Sequence, residues 1–396
     1  EAEIILPETC LYIESGGQVS DTGWIESPLG IFEVIRLRKP ATGVIVHEGK
    51  VKKGSIRVNE NASLRVDSKR RQNIRRNHTA THLLHAWLHK ILGPHAVQAG
   101  SLVAPDKLRF DFNHNEAVTS AQLDEIEAGV NADIMQNYNL TVKEKTLQEA
   151  LSDGATALFG EKYGQKVRTI SIGDDERISY ELCGGTHVDE TGDIGLFIIT
   201  SEGSAAAGVR RIEAVTGRAA YEIVRHQRSL LKHASSVLST AVEELPAKAE
   251  TVVKELESSR KIINSLRQQT ARIEFERTLT GVKEINGIAV LGSVIDKVDA
   301  DTLRGLTDLF RERYPTGVVI LGSALDDRPV IICAVSDNLL AKRFHAGEFV
   351  KEAAQVVGGS GGGRPNMAQA GGKDASKLEC AISQAVKRIQ EKAKAI

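Results

Sequence analysis

The sequence predicts an α+β chain made of four parts. These are a small N-terminal β-barrel, an α+β domain with metal-ligand-like motifs, an antiparallel helical hairpin, and a C-terminal α/β domain with a Gly-rich loop. Three observations lead there. Short apolar runs broken by Gly and Pro fill the first 66 residues. Heptad-like spacing interrupted by one proline fills 216–279. Between them stand two ligand-like motifs, His78-Thr79-Ala80-Thr81-His82 and Cys183-Gly184-Gly185-Thr186-His187. Boundaries at 1–70, 71–215, 216–280 and 281–396 follow, and 396 residues suit two or three domains.

Each part has its own signal. In the first, Phe32 to Leu37 and Val44-Ile45-Val46 read as strands, with turns at Ser15-Gly16-Gly17-Gln18 and Asp21-Thr22-Gly23. A basic run, Lys69-Arg70-Arg71 to Arg75-Arg76, leads into a helix expected from an Asn77 cap to Leu92, stopped by Gly93-Pro94. Leu108-Arg109-Phe110-Asp111-Phe112 alternates, so the apolar side chains share one face and Arg109 and Asp111 the other. A helix is expected over 120–136, and strands over 167–172 and 194–200. Ile223, Leu230, Ala234, Val237 and Ala241 then mark one helical arm. Ala249, Val252, Leu256, Ile263, Leu266 and Ile273 mark a second, with Pro246 between them. Ile288–Ile295, Val318–Leu321 and Val330–Val335 read as buried strands. A glycine-rich stretch over 358–372 and a helix over 375–394 close the chain.

Composition excludes several classes. The net charge of −1 argues against bulk attraction to nucleic acid, so any such contact needs local basic patches. Aromatic content of 4% argues against base-stacking platforms. Cysteines at 10, 183, 333 and 380 form no disulfide framework and suit a reducing cytoplasm. No apolar run reaches the roughly 18 residues of a membrane helix. The chain begins at Glu1 without a Met, which favours a piece of a longer protein over a free-standing one.

Three imidazoles and a thiolate suit Zn2+. His78 and His82 lie four apart on one helical face and can grip one ion. His85 and His89 continue the same stripe, so spacing alone leaves the choice of pair open. The Cys183-x-x-x-His187 motif favours a metal over the plainer alternative, histidines lining a helix beside a basic patch and facing RNA. No glutamate completes an HExxH motif, which disfavours a metalloprotease.

These residues, in this order, resemble the editing half of alanyl-tRNA synthetases. The likeness rests on Glu14-Ser15-Gly16-Gly17-Gln18, Arg76 to His82, Gln98-Ala99-Gly100-Ser101-Leu102, and Leu108 to Phe112. It continues through Ala157 to Tyr163, Cys183 to His187, and Gly362-Gly363-Arg364-Pro365 to Gly371-Gly372. It covers essentially the whole chain. The family's aminoacylation core is missing upstream. Threonyl-tRNA synthetases share the paired ligand motifs, but the hairpin and the glycine-rich terminus point to the alanyl family.

The resemblance implies hydrolysis of serine or glycine wrongly esterified to tRNA(Ala). A pocket built for alanine cannot strongly reject either one. It selects His78, His82, Cys183 and His187 as zinc ligands and places Gln98 in the editing pocket. Thr22 could read the serine hydroxyl, though it also fits a turn. Arg109 and Asp111 could meet the terminal adenosine, though an exposed ion pair is the plainer reading. Arg70, Arg71, Arg75, Arg76, Arg210 and Arg211 would meet tRNA phosphates, as would Arg364 and Lys373 in the C-terminal domain. The family also implies a homodimer through the hairpin and C-terminal domain. A free-standing deacylase, a deacylase for threonine tRNA, and a non-catalytic zinc-stabilised tRNA-binding module are the rivals.

Overall fold

The computed structural model of the chain describes residues 1–157, 163–173, 177–325 and 327–396. Five residues of the Ala157-to-Tyr163 motif, 158–162, lie outside the described residues. The chain divides into two compact units, Glu1–Val237 and Leu238–Ile396.

The first unit opens with β1 (Ala2–Ile5), β2 (Gly23–Ser27), β3 (Gly30–Ala41), β4 (Val44–Gly54) and β5 (Ser63–Val66). Alternation along β3 buries Phe32 and Val34. A register shift against β4 between Val34 and Arg36 then turns Leu37 inward and leaves Ile35 exposed. The expected barrel does not form. The strand order is β1-β4-β3-β2-β5, so β1 and β5 are unjoined edges of an open sheet. Alternation reports one buried face, here Leu11, Ile25, Phe32, Val34 and Leu37. It carries no information about closure, which needs a matching shear around the ring.

His47 of β4 is buried, its Nδ1 3.1 Å from the Ile4 carbonyl and its Nε2 3.0 Å from Thr9 Oγ1. Burial pushes its pKa below the ordinary 6.5. The unfolded chain therefore binds the proton more readily, and stability is complete above pH 6.5 and lost as pH falls towards the folded value. We expect melting temperature to drop more between about pH 7.5 and 5 in the wild type than in His47→Gln. Equal drops would refute the assignment.

Next comes α1 (Ser68–Leu92), capped by Asp67, whose side chain accepts the Arg70 N–H at 3.0 Å. The cap expected at Asn77 is thus displaced toward the N-terminus, and the basic run forms the first turns of the helix. Asn77 is buried inside it, donating to the Ala104 carbonyl and accepting from Thr216 Oγ1 at 2.7 Å each. Strands β6 (Gln98–Val103) and β7 (Leu108–Asn113) precede α2 (Ser120–Gln136), which opens on a Thr119–Gln122 capping box. Then follow β8 (Leu140–Thr146), α3 (Leu147–Ser152), β9 (Lys166–Ile172), β10 (Ser179–Leu182), β11 (Phe197–Ala206), β12 (Val209–Thr216) and α4 (Gly217–Leu238). They give an antiparallel sheet β11-β12-β7-β6 and a smaller one, β10-β9-β8. Leu83, Leu84 and Leu88 of α1 join Ile126 and Val130 of α2 against Phe110, Phe112, Phe197 and Ile212. This packing buries α1 continuously from Asn77 to His85.

In the second unit, α5 (Leu245–Thr278) carries Pro246 in its first turn, so the proline starts this helix. Val252, Leu256, Ile263, Leu266 and Ile273 of its apolar stripe stay 37–56% exposed; Ala271 and Phe275 enter the core. Strands β13 (Lys283–Ile285) and β14 (Ile288–Val294), helix α6 (Ala300–Arg313), and strands β15 (Gly317–Leu325) and β16 (Arg328–Val335) follow. Helices α7 (Asp337–Leu340) and α8 (Ala346–Val356), strands β17 (Ser360–Arg364) and β18 (Met367–Gly371), and α9 (Leu378–Lys394) complete it. The sheet order is β13-β14-β15-β16-β18-β17, with β14 and β15 parallel. α8 and α9 cover one face; α5 and α6 cover the other. The glycine-rich segment is a β-hairpin here, not a loop. A Cβ at Gly361 would collide with Ala370, and one at Gly363 with the Met367 carbonyl, so the glycines let two backbones pair closely.

Candidate metal centre

The helical spacing of α1 brings His78 and His82 to one face. The turn after β10 delivers Cys183 and His187 opposite them. One donor atom from each of the four side chains lies within 4.8 Å of all the others. Cys183 Sγ is 3.3 Å from His78 Nε2 and 3.3 Å from His187 Nε2. His82 Nε2 is buried without a hydrogen-bond partner among the described residues.

The other nitrogen of each ring sets its direction. His78 Nδ1 donates to Gln18 Oε1 at 2.7 Å, His82 Nδ1 to Glu181 Oε2 at 2.9 Å, and His187 Nδ1 to Thr79 Oγ1 at 3.2 Å. With Nδ1–H so engaged, each Nε2 lone pair faces the centre. Gln18 and Thr79 were visible in the sequence only as a turn residue and a spacer. Gln18 arrives on the Ser15–Gln18 turn, which β6 grips: Val103 donates to the Gly17 carbonyl at 2.8 Å and accepts from Val19 at 3.0 Å. No local pattern reveals a contact spanning 60 residues.

The ligand turn is held by its backbone. Arg168 of β9 donates to the carbonyls of Cys183 (3.0 Å) and Gly185 (2.6 Å). Arg75 donates to the His187 carbonyl and, at 2.9 Å, to Asp189. The Gly185 N–H points at Cys183 Sγ, 3.4 Å away, and the Thr186 N–H donates to Gln18 Oε1 at 2.8 Å.

The charges suit a cation. Burial would raise the Cys183 thiol, but His78 and His187 outweigh it and hold the group well below 9.0, so the thiolate is favoured. Burial, reinforced by His78, pushes His187 down to about 3, which keeps its ring neutral. Burial also lowers His82, yet Glu181 and Cys183 overcome it and carry the ring up to about 10. Without a metal, a proton on His82 is thus the available countercharge. An orphaned buried nitrogen, a thiolate and two further imidazoles aimed at one point fit a metal ion, and a donor set of three nitrogens and one sulfur suits zinc.

None of the remaining candidates belongs to the four-donor cluster. Gln98 opens β6, half-buried. The Thr22 carbonyl accepts the Asp67 N–H at 2.9 Å, just before α1. Asp111 is buried and chelated by Arg211 at 2.7 and 2.8 Å, with Arg109 3.6 Å away. Arg210 grips Glu202 at 2.6 and 2.7 Å. Arg70 donates to the Ser20 carbonyl at 2.7 Å, Arg71 pairs with Asp21, and Arg76 donates to the Asp193 carbonyl at 2.8 Å. The basic run therefore ties α1 to its neighbours. Arg364, at the end of β17, and Lys373, on the segment after β18, are both exposed.

Residues 167–213, which include the ligand turn, match the threonyl and alanyl tRNA synthetase second additional domain. Residues 1–70 match tRNA synthetases class II (A), and 287–392 match the DHHA1 domain. The chain is 43% identical over 387 residues to the alanine--tRNA ligase of Dehalococcoides mccartyi, covering 98% of this chain and 44% of that protein. It is 45% identical over 378 residues to that of Geobacillus kaustophilus, covering 96% and 42%. It thus spans less than half the length of these relatives. Among solved structures, the C-Ala domain of Aquifex aeolicus alanyl-tRNA synthetase is similar at 29% identity and a TM-score of 0.25, over 28% of this chain and 97% of that one.

Proposed function

The chain belongs to the alanyl-tRNA synthetase family, and from that premise we propose that residues 71–215 form a zinc-dependent deacylase. It would hydrolyse serine or glycine wrongly esterified to tRNA(Ala). The observation that carries this reading is the buried, preoriented cluster of three histidines and one cysteine inside the segment matching the second additional domain. In the reaction, water adds to the ester carbonyl carbon, the bond to the ribose oxygen breaks, and that oxygen takes the proton. When bound, zinc would supply Lewis acidity for the substrate carbonyl or amino group. Gln98 hydrogen-bonds the ester or the serine hydroxyl, and Thr22 serves as a second hydroxyl reader. Arg109 and Asp111 approach the terminal adenosine.

The sheet at 1–70 would carry the turn that brings Gln18 to the centre. Residues 216–280 would form a spacer of two antiparallel arms, and 281–396 would bind tRNA through Arg364 and Lys373 and support a homodimer. Arg70, Arg71, Arg75, Arg76, Arg210 and Arg211 would contact phosphates with whatever donor capacity their protein partners leave free. A cytoplasmic setting fits a translation enzyme, and no helix among the described residues is long and apolar enough to cross a membrane.

We expect the wild type to release serine from seryl-tRNA(Ala). Gln98→Ala should slow it by about 10- to 100-fold, the effect of one lost hydrogen bond to a reacting group, and Cys183→Ala should abolish it. No hydrolysis by wild type with tRNA binding intact would sink the enzyme reading. Equal activity on a mischarged threonine tRNA would remove the alanyl assignment. One observation favours a second reading: four protein donors lie together, and a four-coordinate zinc held by all of them would have no open position, the mark of a structural site. On that reading the same residues make a zinc-stabilised tRNA-binding module.

A further inference from the structure

We propose that Glu181 is the positioning residue of the metal centre, fixing the His82 ring and supplying the negative charge that the buried site lacks. The inference rests on the metal reading of the four-donor cluster and does not need the deacylase reading.

Three carboxylates are buried among the described residues: Asp21, Asp111 and Glu181. Asp21 is paired with Arg71, and Asp111 with Arg211 and Arg109. Glu181 is 5% exposed, and no lysine or arginine among the described residues pairs with it. Its partners are imidazoles and a hydroxyl. Oε2 accepts from His82 Nδ1 at 2.9 Å; Oε1 accepts from His85 Nδ1 at 3.1 Å and from Ser179 Oγ at 3.2 Å. A buried carboxylate without a cation is costly, so the arrangement calls for one.

The bound centre provides it. A divalent ion with one thiolate and three neutral imidazoles leaves a single positive charge in the interior. Glu181 cancels that charge through His82, the ligand it touches. The contact also turns His82 so that Nε2 faces Cys183, His78 and His187.

This arrangement divides the histidine stripe of α1. His78 and His82 face the donors of the ligand turn. His85 occupies the other carboxylate oxygen and holds Glu181 from behind. The pairs that are equivalent by spacing are thus made inequivalent by one acid on β10, where Ser179 and Glu181 share a face.

The test uses the full chain and reads metal, not turnover. Zinc affinity is measured by competition with a chromophoric chelator, and the Co(II)-substituted protein is followed by its visible d–d bands. Glu181→Gln should bind zinc about 10- to 100-fold more weakly and shift the Co(II) bands. His85→Phe keeps the charge and the His82 contact, and should lose less affinity than Glu181→Gln. Wild-type zinc affinity with unchanged Co(II) bands in Glu181→Gln would overturn the proposal. If that variant does not fold, Glu181→Asp carries the test: it keeps the charge but withdraws the carboxylate from the imidazoles, and an unshifted Co(II) spectrum would overturn the proposal equally. A wild type that binds neither zinc nor cobalt would also overturn it. A wild type that binds zinc yet leaves seryl-tRNA(Ala) intact ends the deacylase reading and leaves the role of Glu181 standing.

Discussion

Adding one methyl group at Gly185 should weaken metal binding at the four-donor cluster, while the same change at Gly184 should not. A Cβ at Gly185 falls onto the His78 ring, at Cε1 and Nδ1, and within 2.8 Å of Gln18 Oε1. His78 cannot step aside without leaving Gln18 or the other donors. The turn cannot retreat either, because Arg168 and Arg75 hold its carbonyls. A Cβ at Gly184 meets no atom of the described residues within 4 Å. Neither glycine has a positive φ, so the requirement at Gly185 is for space, not for backbone freedom. We expect Gly185→Ala to weaken zinc binding by more than about 100-fold, exceeding the loss of an outer partner. Gly184→Ala should stay within about 0.5 kcal/mol of wild-type stability. Chelator competition and thermal melts on both variants decide the matter. Similar affinities in the two would mean that the turn yields.

The two glycines also mark how far the sequence could be read. In the sequence both simply stand between Cys183 and His187, a local property of the motif. The collision that separates them involves a helix about a hundred residues away. The same limit explains the other differences. Four donors could be recognised from i,i+4 spacing and a CxxxH motif, because a metal imposes local spacing on its ligands. Which His pair serves could not, because Gln18 and Glu181 decide it from a distant turn and a distant strand. The barrel expected at the N-terminus followed from alternation, which shows a buried face but not whether β1 and β5 meet. The glycine-rich terminus read as a loop because glycine is rare inside strands. It pairs as β17 and β18 because glycine alone fits against that neighbouring backbone.

The basic run before the His helix teaches a related lesson about charge. Arg70, Arg71, Arg75 and Arg76 read as phosphate contacts, or a plain solvated face, from their charge and their place beside the His helix. In the folded chain each has a backbone carbonyl acceptor, at Ser20, Cys10, His187 and Asp193 in turn. Charge density in a sequence reports donors without saying who accepts. Arg75 shows how the two roles can meet, since its carbonyl partner belongs to a candidate ligand. Replacing such a residue would disturb the centre and any RNA contact together. It is therefore a poor probe of tRNA binding, and Arg364, exposed and remote from the four donors in sequence, is a cleaner one.

Stripping the metal should loosen the first unit and leave the second as it was. The four donors and Glu181 sit between α1 and β10, and the ligand turn joins them. Without an ion, that junction keeps a thiolate, a carboxylate and a protonated His82 crowded among buried side chains. A ligand that binds only the folded state stabilises it by about 4 kcal/mol when its free concentration is about a thousand times Kd. Chelation removes that increment from the unit that holds the site. The cores of the second unit are built on β14, β15 and β16 and contain none of the four donors. Hydrogen exchange before and after chelation separates the two directly. Protection should fall in the middle of α1, in β10 and through residues 183–191, and recover when zinc is returned. It should not change in β14 to β16. Uniform loss across both units would mean that the ion supports more than this junction. No loss anywhere would mean that Gln18, Glu181 and Arg168 hold the site's shape unaided, which favours an ion that stays for chemistry over one that holds the fold.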